Sequence, residues 1–307
     1  MWPADNRARI RDPGALSRID RVIRHAIYLV VVQLRFSGIS HVSVTARLRF
    51  GAAMVVAASL SGLALADGRP GGGGLDKGWS LVLGGGGLLS PDYDGSDDYE
   101  VRALPYVSAK YGDWLSFSVP EGLKLTVIHE DGFRAGVLAG YRFDRDADEN
   151  TALRGWGDID GTVELGAFAE YRFDALKLGL DVRQGLSDDT GLLATLSLRH
   201  ESRIGPARIS IGPQMTWGDD EYMQTYFGIT PAQAAASTLG YAPYAADGGI
   251  RSYGLGLSAF TPVSDSWAIT VIAGVSQITG DAADSPIVAD EGSDTQYVVG
   301  VFAGYSF

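Results

Sequence analysis

The sequence contains no cysteine among its 307 residues. Disulfides, thiolate metal sites and cysteine nucleophiles are therefore excluded. Histidine is also scarce, since the chain has four and only His129 and His200 lie beyond residue 66. Neither lies in a metal-ligand spacing such as H-E-x-x-H. We therefore expect no metal, no cofactor and no enzymatic activity.

Positive charge and long apolar runs are the next deficits. The formal net charge is −12, whereas a nucleic-acid-binding protein normally presents a basic face, so we expect no nucleic-acid partner. Beyond residue 66 no segment has eighteen uninterrupted apolar residues. A membrane-spanning helix is therefore excluded in that part of the chain.

The first 77 residues divide into three predicted segments. Residues 46–66 place Arg47 and Arg49 before an apolar run that ends in a small-x-small pattern, which predicts a secretory signal peptide cleaved before Asp67. Residues 1–45 carry seven Arg and no Lys and do not fit a signal peptide. We interpret them as an extension upstream of the true start, or as a disordered segment. Residues 67–77 are predicted to be a short periplasmic linker.

The remainder of the chain is dominated by residues that alternate between apolar and polar or small. In "FRAGVLAGYRF", for example, the odd positions from Phe133 to Phe143 are apolar or aromatic and the even positions include Arg134 and Arg142. A period of two predicts strands with one apolar face. Twelve such segments occur, at approximately 77–90, 98–111, 113–119, 122–129, 132–143, 160–173, 176–186, 190–203, 206–218, 249–261, 265–278 and 294–307.

Two folds accommodate this pattern, a soluble sandwich and a transmembrane barrel. Strands of soluble sheets average about five or six residues, whereas most of these segments are as long as a tilted bilayer-spanning strand, roughly nine to eleven residues. The connections after odd-numbered segments are mostly long and those after even-numbered segments are short, as in outer-membrane barrels. The sequence therefore predicts an all-β fold over 78–307, a closed antiparallel transmembrane β-barrel of about twelve strands. The last strand is expected to pair with the first, which leaves no open edge in the bilayer.

The second face of the alternating segments carries the candidate functional residues. Parity directs a set of charged side chains into the lumen: Arg134, Arg142, Glu164, Glu170, Arg172, Lys177, Asp181, Arg183, Arg199 and Arg208. Two interpretations remain open at this point. The charges either pair into a network that fills the barrel or line a charged pore constriction.

Two further features carry predicted roles. In "TPAQAAAST", Thr230 is a predicted N-cap with Pro231 at the first helical position and Gln233 following it, so a short helix is expected in the long fifth extracellular loop as a candidate plug. The final strand ends in "GYSF", and we expect its aromatic residues Tyr305 and Phe307 to act as an assembly signal.

Several stretches together resemble the MipA/OmpV family of outer-membrane proteins: "SPDYDGSDDYEVRALPYVSAKYGD", "LRGWGDIDGTVELGAFAEY", "YMQTYFGITPAQAAASTLGYAPYAADGG", "GDAADSPIV" and the terminal "GYSF". The resemblance implies a closed barrel in the Gram-negative outer membrane, in contact with lipid and lipopolysaccharide and inserted by the barrel-assembly machinery. It also implies a non-enzymatic scaffold that links a murein lytic transglycosylase to a murein synthase. A small-solute channel and a surface adhesin are the alternatives.

Overall fold

The computed structural model describes residues 78–119, 121–148 and 150–307. The predictions for residues 1–45, 46–66 and 67–77 lie outside these ranges. Twelve strands are present in the described chain. They are β1 (Trp79–Pro91), β2 (Tyr99–Tyr111), β3 (Leu115–Ser118), β4 (Gly122–Glu130), β5 (Phe133–Arg142), β6 (Thr162–Phe173), β7 (Leu176–Gly185), β8 (Leu192–Ile204), β9 (Ala207–Gly218), β10 (Gly249–Pro262), β11 (Trp267–Ile278) and β12 (Thr295–Ser306).

The strands form a closed antiparallel barrel in which each pairs with its neighbours in sequence. Closure occurs between the first and last strands, where Leu83 pairs with Tyr305 and Leu89 with Val299. The predicted fold class and the predicted closing pair are therefore confirmed. Closure satisfies the backbone hydrogen bonds that an open sheet would leave exposed to hydrocarbon.

The period of two in the sequence separates the two faces of the wall. On β5, the outward Val137 is 51% exposed while the adjacent inward Leu138 is 3% exposed. The outward face is an apolar band, with aromatic side chains near its ends. At one end Trp79 contacts Tyr111 with tilted rings and Trp267 contacts Tyr305 edge to face, with ring centroids 4.9 and 5.3 Å apart. An apolar band bounded by aromatic girdles is the surface that a transmembrane barrel presents to lipid.

The two ends of the barrel differ in their connections. Even-numbered strands end in tight turns, and the turns at Asp131 and Asp174 place these residues at positive φ. The other end carries the long loops and therefore corresponds to the extracellular side of an outer-membrane barrel. Those loops contain a single 3-10 turn (Thr151–Leu153) and the helices α1 (Asp220–Phe227), α2 (Pro231–Ala236), α3 (Gly280–Asp284) and α4 (Pro286–Ala289). None of the helices in the described ranges is long and apolar enough to cross a membrane.

One strand departs from the sequence prediction. The segment predicted over 113–119 forms a strand of only four residues, β3. Gly122, which begins β4, pairs with Ser118 at the end of β3, and β2 pairs with β3 only from Ser108 to Tyr111. Proline and glycine disfavour strand continuation, and the alternation upstream of them does not reveal how early pairing ends.

Candidate functional site in the barrel lumen

The ten charged residues predicted for the lumen all lie on the inward face, but they differ in burial. Arg142, Glu164, Asp181, Arg183 and Arg199 are buried. Arg134, Glu170, Lys177 and Arg208 are half-buried. Arg172 is the most open, with half of its side chain exposed near the periplasmic end.

Seven inward residues on strands β4 to β7 form a continuous series of ion pairs, which we call the lumen ion-pair chain. Along it, the nitrogen-to-oxygen distances are 3.9 Å for Lys177–Glu170, 3.7 Å for Glu170–Lys124, 3.2 Å for Lys124–Asp181, 3.5 Å for Asp181–Arg183, 3.5 Å for Arg183–Glu164 and 2.6 Å for Glu164–Arg142. Each carboxylate thus lies between two cations. Pairing of this kind offsets the cost of removing charges from water.

Lys124 belongs to this chain although the sequence prediction omitted it. It alternates with outward Leu123 and Leu125 on β4, so the same parity rule that selected the other charges indicated its position. Its ammonium group also lies 5.1 Å from the centre of the buried Phe168 ring. The charged side chains therefore pack against apolar neighbours.

The upper end of the chain contacts the extracellular loops. Arg142 donates a hydrogen bond to the backbone oxygen of Thr190 at 2.5 Å. Its guanidinium lies 5.0 Å from the ring centre of Tyr222 and 5.6 Å from that of Tyr226, both on α1. A guanidinium over aromatic rings gains a cation–π interaction. Arg142 therefore couples the wall to the loops above it.

The remaining predicted charges lie outside the lumen ion-pair chain. Arg199 donates to the side-chain oxygen of Gln214 at 2.6 Å and to the backbone oxygens of Gly256 and Gly212. Arg134 donates to the hydroxyl of Thr126 at 3.2 Å.

The last two predicted charges lie at the periplasmic mouth. Arg172 pairs with Glu201 at 2.5 Å. Arg208 lies directly opposite Arg203 across the β8–β9 pair.

A second part of the lumen is apolar. Its inward side chains form the lumen apolar cluster, which consists of Leu88, Tyr106, Ile272, Val298 and Phe302 from strands β1, β2, β11 and β12. All are at most 7% exposed. The sequence analysis predicted only charged residues for the lumen and therefore missed this cluster. The lumen is thus filled by charges on one side and by apolar side chains on the other.

The extracellular end is closed by a folded structure, the extracellular cap. Its buried core draws on several loops and comprises Tyr93, Ala147, Ala152, Leu153, Trp156, Leu193, Tyr222, Met223, Tyr226, Phe227, Ile229, Ala246, Ile278, Ala282, Ile287 and Val288. Helix α1 contributes four of these side chains, from Tyr222 to Phe227. Its first turn is capped by Asp219, whose carboxylate accepts from the Tyr222 backbone nitrogen.

Polar contacts between distant loops hold the cap together. Arg251, at the top of β10 and 2% exposed, forms an ion pair with Asp94 of the first loop. The Ser285 hydroxyl donates to the backbone oxygen of Phe227 at 2.6 Å, and the Tyr93 hydroxyl donates to that of Ile287 at 3.0 Å. These contacts join chain segments that are far apart in sequence, and no local pattern predicted them.

Burial within the cap shifts the ionisation of its polar groups. Desolvation raises the pKa of Tyr93 and of Tyr222 above the ordinary value of 10.0. Burial also lowers the pKa of Arg145 to about 10. The Arg145 guanidinium donates to the Tyr226 backbone oxygen at 3.1 Å and lies 5.7 Å from the Trp156 ring. The neutral phenol is thus favoured at Tyr93 and Tyr222.

The helix predicted as a plug is present as α2, with Thr230 as its N-cap and Pro231 in the first turn. A capping box forms, in which Thr230 and Gln233 bond each other's backbone nitrogens. However, α2 has no buried residue. It contacts the cap through half-buried Ala234, which packs against the buried core, and through a hydrogen bond of 2.8 Å from the Gln233 amide to the Trp156 backbone oxygen. In the same loop, α1 supplies the buried side chains.

The aromatic residues at the end of β12 lie in the periplasmic girdle. Tyr305 contacts Trp267 and, at 5.0 Å between ring centres, Phe307. The Phe307 side chain is 43% exposed. Its backbone nitrogen donates to Leu81 at 3.0 Å, which extends the closing pair by one bond.

Two histidines, His129 and His200, lie within the described ranges. Within the described ranges, no three His, Cys, Asp or Glu side chains lie close enough together to hold a metal ion. Both His129 and His200 are exposed. His200 and Glu201 point to opposite faces of β8, as adjacent strand residues do.

The model of the family described as MltA-interacting protein MipA matches residues 83–307. The chain belongs to the MipA family. This match extends over nearly all of the barrel, including the cap and the lumen ion-pair chain. Together with the closed, apolar-banded barrel, it identifies the protein as an outer-membrane β-barrel. No curated protein sequence matches the chain.

Solved outer-membrane barrels resemble this MipA-family barrel at low identity. OprB of Pseudomonas putida is 13% identical with a TM-score of 0.32, and the match covers 67% of this chain but only 59% of OprB. An outer membrane channel from Pseudomonas putida F1 is 12% identical with a TM-score of 0.37, covering 76% of this chain and 97% of the channel. OprD of Pseudomonas aeruginosa is 14% identical with a TM-score of 0.33, covering 75% and 65%.

Proposed function

We propose that this protein is a non-enzymatic outer-membrane scaffold that holds murein-remodelling enzymes, a lytic transglycosylase and a murein synthase, at the inner surface of the outer membrane. The observation that carries the proposal is the family match over residues 83–307, whose description names an interaction with MltA. A scaffold needs a stable membrane anchor and an accessible periplasmic surface, and it needs no pore.

The filled lumen supports a scaffold over a small-solute channel. The lumen ion-pair chain occupies one side with side chains whose exposed fractions are 18% or less. The lumen apolar cluster occupies the other side. Above both, α1 buries Tyr222 and Phe227 to 1% and 0% exposure. A conducting channel would need a hydrated path past all three.

The β8–β9 hairpin is the best candidate for the contact with an enzyme. Four other periplasmic turns carry acidic residues, namely Asp113, Asp131, Asp174 and Asp265. The β8–β9 turn instead has Arg203 opposite Arg208. Like charges directly opposite one another destabilise a strand pair, so an acidic surface on a partner would relieve this repulsion.

Co-purification with a lytic transglycosylase tests the proposal. Detergent-solubilised barrel should retain the enzyme, and the double substitution Arg203→Glu with Arg208→Glu should weaken retention. Arg154→Glu provides a matched control because Arg154 is exposed on the extracellular side. Equal retention by both variants would place the contact elsewhere, and no retention by the unmodified barrel would refute the scaffold.

Export by a cleaved signal peptide belongs to the same proposal. Its support is the charged start, apolar run and small-residue pattern of residues 46–66. Mass spectrometry of protein isolated from outer membranes should find Asp67 at the N-terminus. A mature chain that retains any of residues 1–66 would contradict this processing.

A further inference from the structure

The barrel wall is interrupted in its extracellular half between β2 and β5, where β3 and β4 are short. Strand β2 runs from Tyr99 to Tyr111, but its last partner towards β3 is Ser108. On the other side, β5 runs to Arg142, but its last residue paired with β4 is Ala139, which lies opposite Leu123. The opening bounded by residues 99–106, 121–122 and 140–143 is called the wall notch.

The backbone direction on β2 shows which groups face the wall notch. The Val107 backbone oxygen accepts a bond from the Val119 nitrogen, so Val107 directs its backbone towards β3. Alternate residues of an antiparallel strand direct their backbone hydrogen-bonding groups to opposite sides. The backbone groups of Val101, Ala103 and Pro105 therefore point to the same side as those of Val107, at heights above the end of β3. Proline within a sheet is confined to such positions because it lacks an N–H.

The wall notch lies at the depth of the outer leaflet. Trp79 and Tyr111 belong to the periplasmic girdle and pair with each other. A lipid-facing band of about 25 Å corresponds to roughly ten residues of a tilted strand. Counting from Tyr111, this band extends to about Val101, whose side chain is 75% exposed. Among the described residues, no strand pairs with the β3 side of β2 above Val107, and this edge therefore faces hydrocarbon, where open strand edges are otherwise avoided.

The lumen surface behind the lower part of the wall notch is apolar, whereas Glu100 and Arg102 form an ion pair nearer its extracellular end. Leu104 points inward and packs against the lumen apolar cluster, yet it is only half-buried. By comparison, inward Leu138, which lies under complete strand pairing, is 3% exposed. The incomplete wall thus accounts for the partial exposure of Leu104.

Phe143 fills part of this opening. It follows outward Tyr141 by two residues, and the two rings meet edge to face at 5.1 Å. Nevertheless Phe143 packs against the lumen apolar cluster. The Phe143 ring thus contacts both a lipid-facing ring and the lumen apolar cluster. In this position it blocks the wall notch.

The floor of the wall notch is held in place by the lumen charges. Arg183 donates a hydrogen bond to the Glu121 backbone oxygen at 3.1 Å, so the β3–β4 turn is fixed to the lumen ion-pair chain. Gly122 adopts a φ of +88°, and a Cβ there would lie 2.3 Å from the Ala139 backbone oxygen. The turn is therefore built to end at this height.

We propose that the wall notch is a lateral binding site for one hydrocarbon chain of an outer-leaflet lipid, which reaches the lumen apolar cluster when the Phe143 ring moves aside. The unoccupied strand edge alone would suit a β-strand from a partner as well. Pro105 disfavours this partner because it supplies no N–H to an added strand, a device that protects edges against strand addition. The apolar surface behind the edge is of no use to a strand, whereas it is complementary to an acyl chain.

Site-specific fluorescent labels test the proposal, and the natural absence of cysteine makes such labelling unambiguous. Leu104→Cys places a bimane label behind the wall notch. Thr195→Cys is the matched lumen control, since Thr195 is 6% exposed and its strand is paired on both sides. Leu196→Cys is the lipid-facing reference. Each labelled barrel is reconstituted in vesicles of phosphatidylcholine with brominated acyl chains, which quench bimane on contact.

The label at position 104 should be quenched several-fold more than the label at position 195 and should approach the lipid-facing reference. Adding Phe143→Ala should increase quenching at position 104 and leave position 195 unchanged. Phe173→Ala, which removes a lipid-facing ring of the periplasmic girdle, should affect neither. Equal protection of positions 104 and 195, with or without Phe143, would overturn the proposal. Protection of the label at position 104 from quenching, together with a dimer that can be cross-linked, would overturn the proposal in favour of a β-strand partner.

Discussion

Replacing Glu164 is the best test of whether water is excluded from the lumen. It is 4% exposed, accepts a hydrogen bond from Arg142 Nε at 2.8 Å and forms an ion pair with Arg183 at 3.5 Å. Glu164→Gln keeps the side-chain shape and removes the charge. Both arginines would remain buried, although Arg142 keeps Thr190 and Arg183 keeps Asp181 at 3.5 Å.

The expected loss follows from the energetics of buried pairs. Removing one partner of a buried ion pair destabilises a protein by about 3–5 kcal/mol. Because both arginines retain another acceptor, the effect of Glu164→Gln should lie near the lower end, about 3 kcal/mol. Glu201→Gln is the matched control. Its pair with Arg172 is half-exposed, so the loss should be about 1 kcal/mol or less.

Equilibrium unfolding in urea, with the barrels folded into lipid vesicles, compares the two variants. Tryptophan fluorescence and the mobility shift of folded barrels on gels report the transition. If Glu164→Gln destabilised the barrel no more than Glu201→Gln, the lumen would contain enough water to screen its charges. A dry, filled lumen would then be ruled out.

Three further outcomes follow from the cap and the girdle. Phe227→Ala removes a fully buried α1 side chain and should loosen the cap by about 3–5 kcal/mol, seen as faster proteolysis of the extracellular loops without loss of the barrel; unchanged proteolysis would contradict the role of α1. Raising the pH above 10 should open the cap, because the folded state holds the phenol protons of Tyr93 and Tyr222 above the ordinary pKa of 10.0 and the opened state releases them. Tyr222→Phe should reduce this pH dependence of cap opening, and an identical pH profile in the variant would refute the prediction. Phe307→Ser should lower outer-membrane yield far more than melting temperature, since replacing a side chain that is 43% exposed costs less than the roughly 1.5–3 kcal/mol of full burial. Phe173, which is 42% exposed in the same girdle, provides the control, because Phe173→Ser should leave the yield unchanged. Equal yields of the two variants would contradict the assembly signal.

Residue alternation predicted most of the barrel. Strand number, closure of β12 on β1 and the inward position of charges such as Glu164 and Arg183 all follow from a period of two, because that period is a property of the strand backbone itself. The same rule directs Lys124 of β4 into the lumen, because it alternates with outward Leu123 and Leu125.

The remaining features depend on contacts between distant residues. The pair between Arg251 and Asp94 joins residues 157 apart in sequence, and neither position has a local pattern that reveals it. The four-residue length of β3 is a property of its neighbours in the wall. Capping chemistry correctly located the start of α2 at Thr230, yet capping describes a helix end and carries no information on whether the helix is buried. The buried helix of that loop is α1, which is marked by aromatic residues at helical spacing.

Conductance across a planar bilayer tests the central claim most directly, namely that the lumen of this barrel is blocked and does not conduct ions. The purified protein, shown to be folded by its gel mobility, should insert without producing single-channel steps at any applied voltage below that which ruptures the bilayer. Weakening the cap with Phe227→Ala should leave the lumen ion-pair chain and the lumen apolar cluster in place, so this variant should remain silent as well. Steady, ion-selective steps from the unmodified barrel would contradict the account and would favour a small-solute channel.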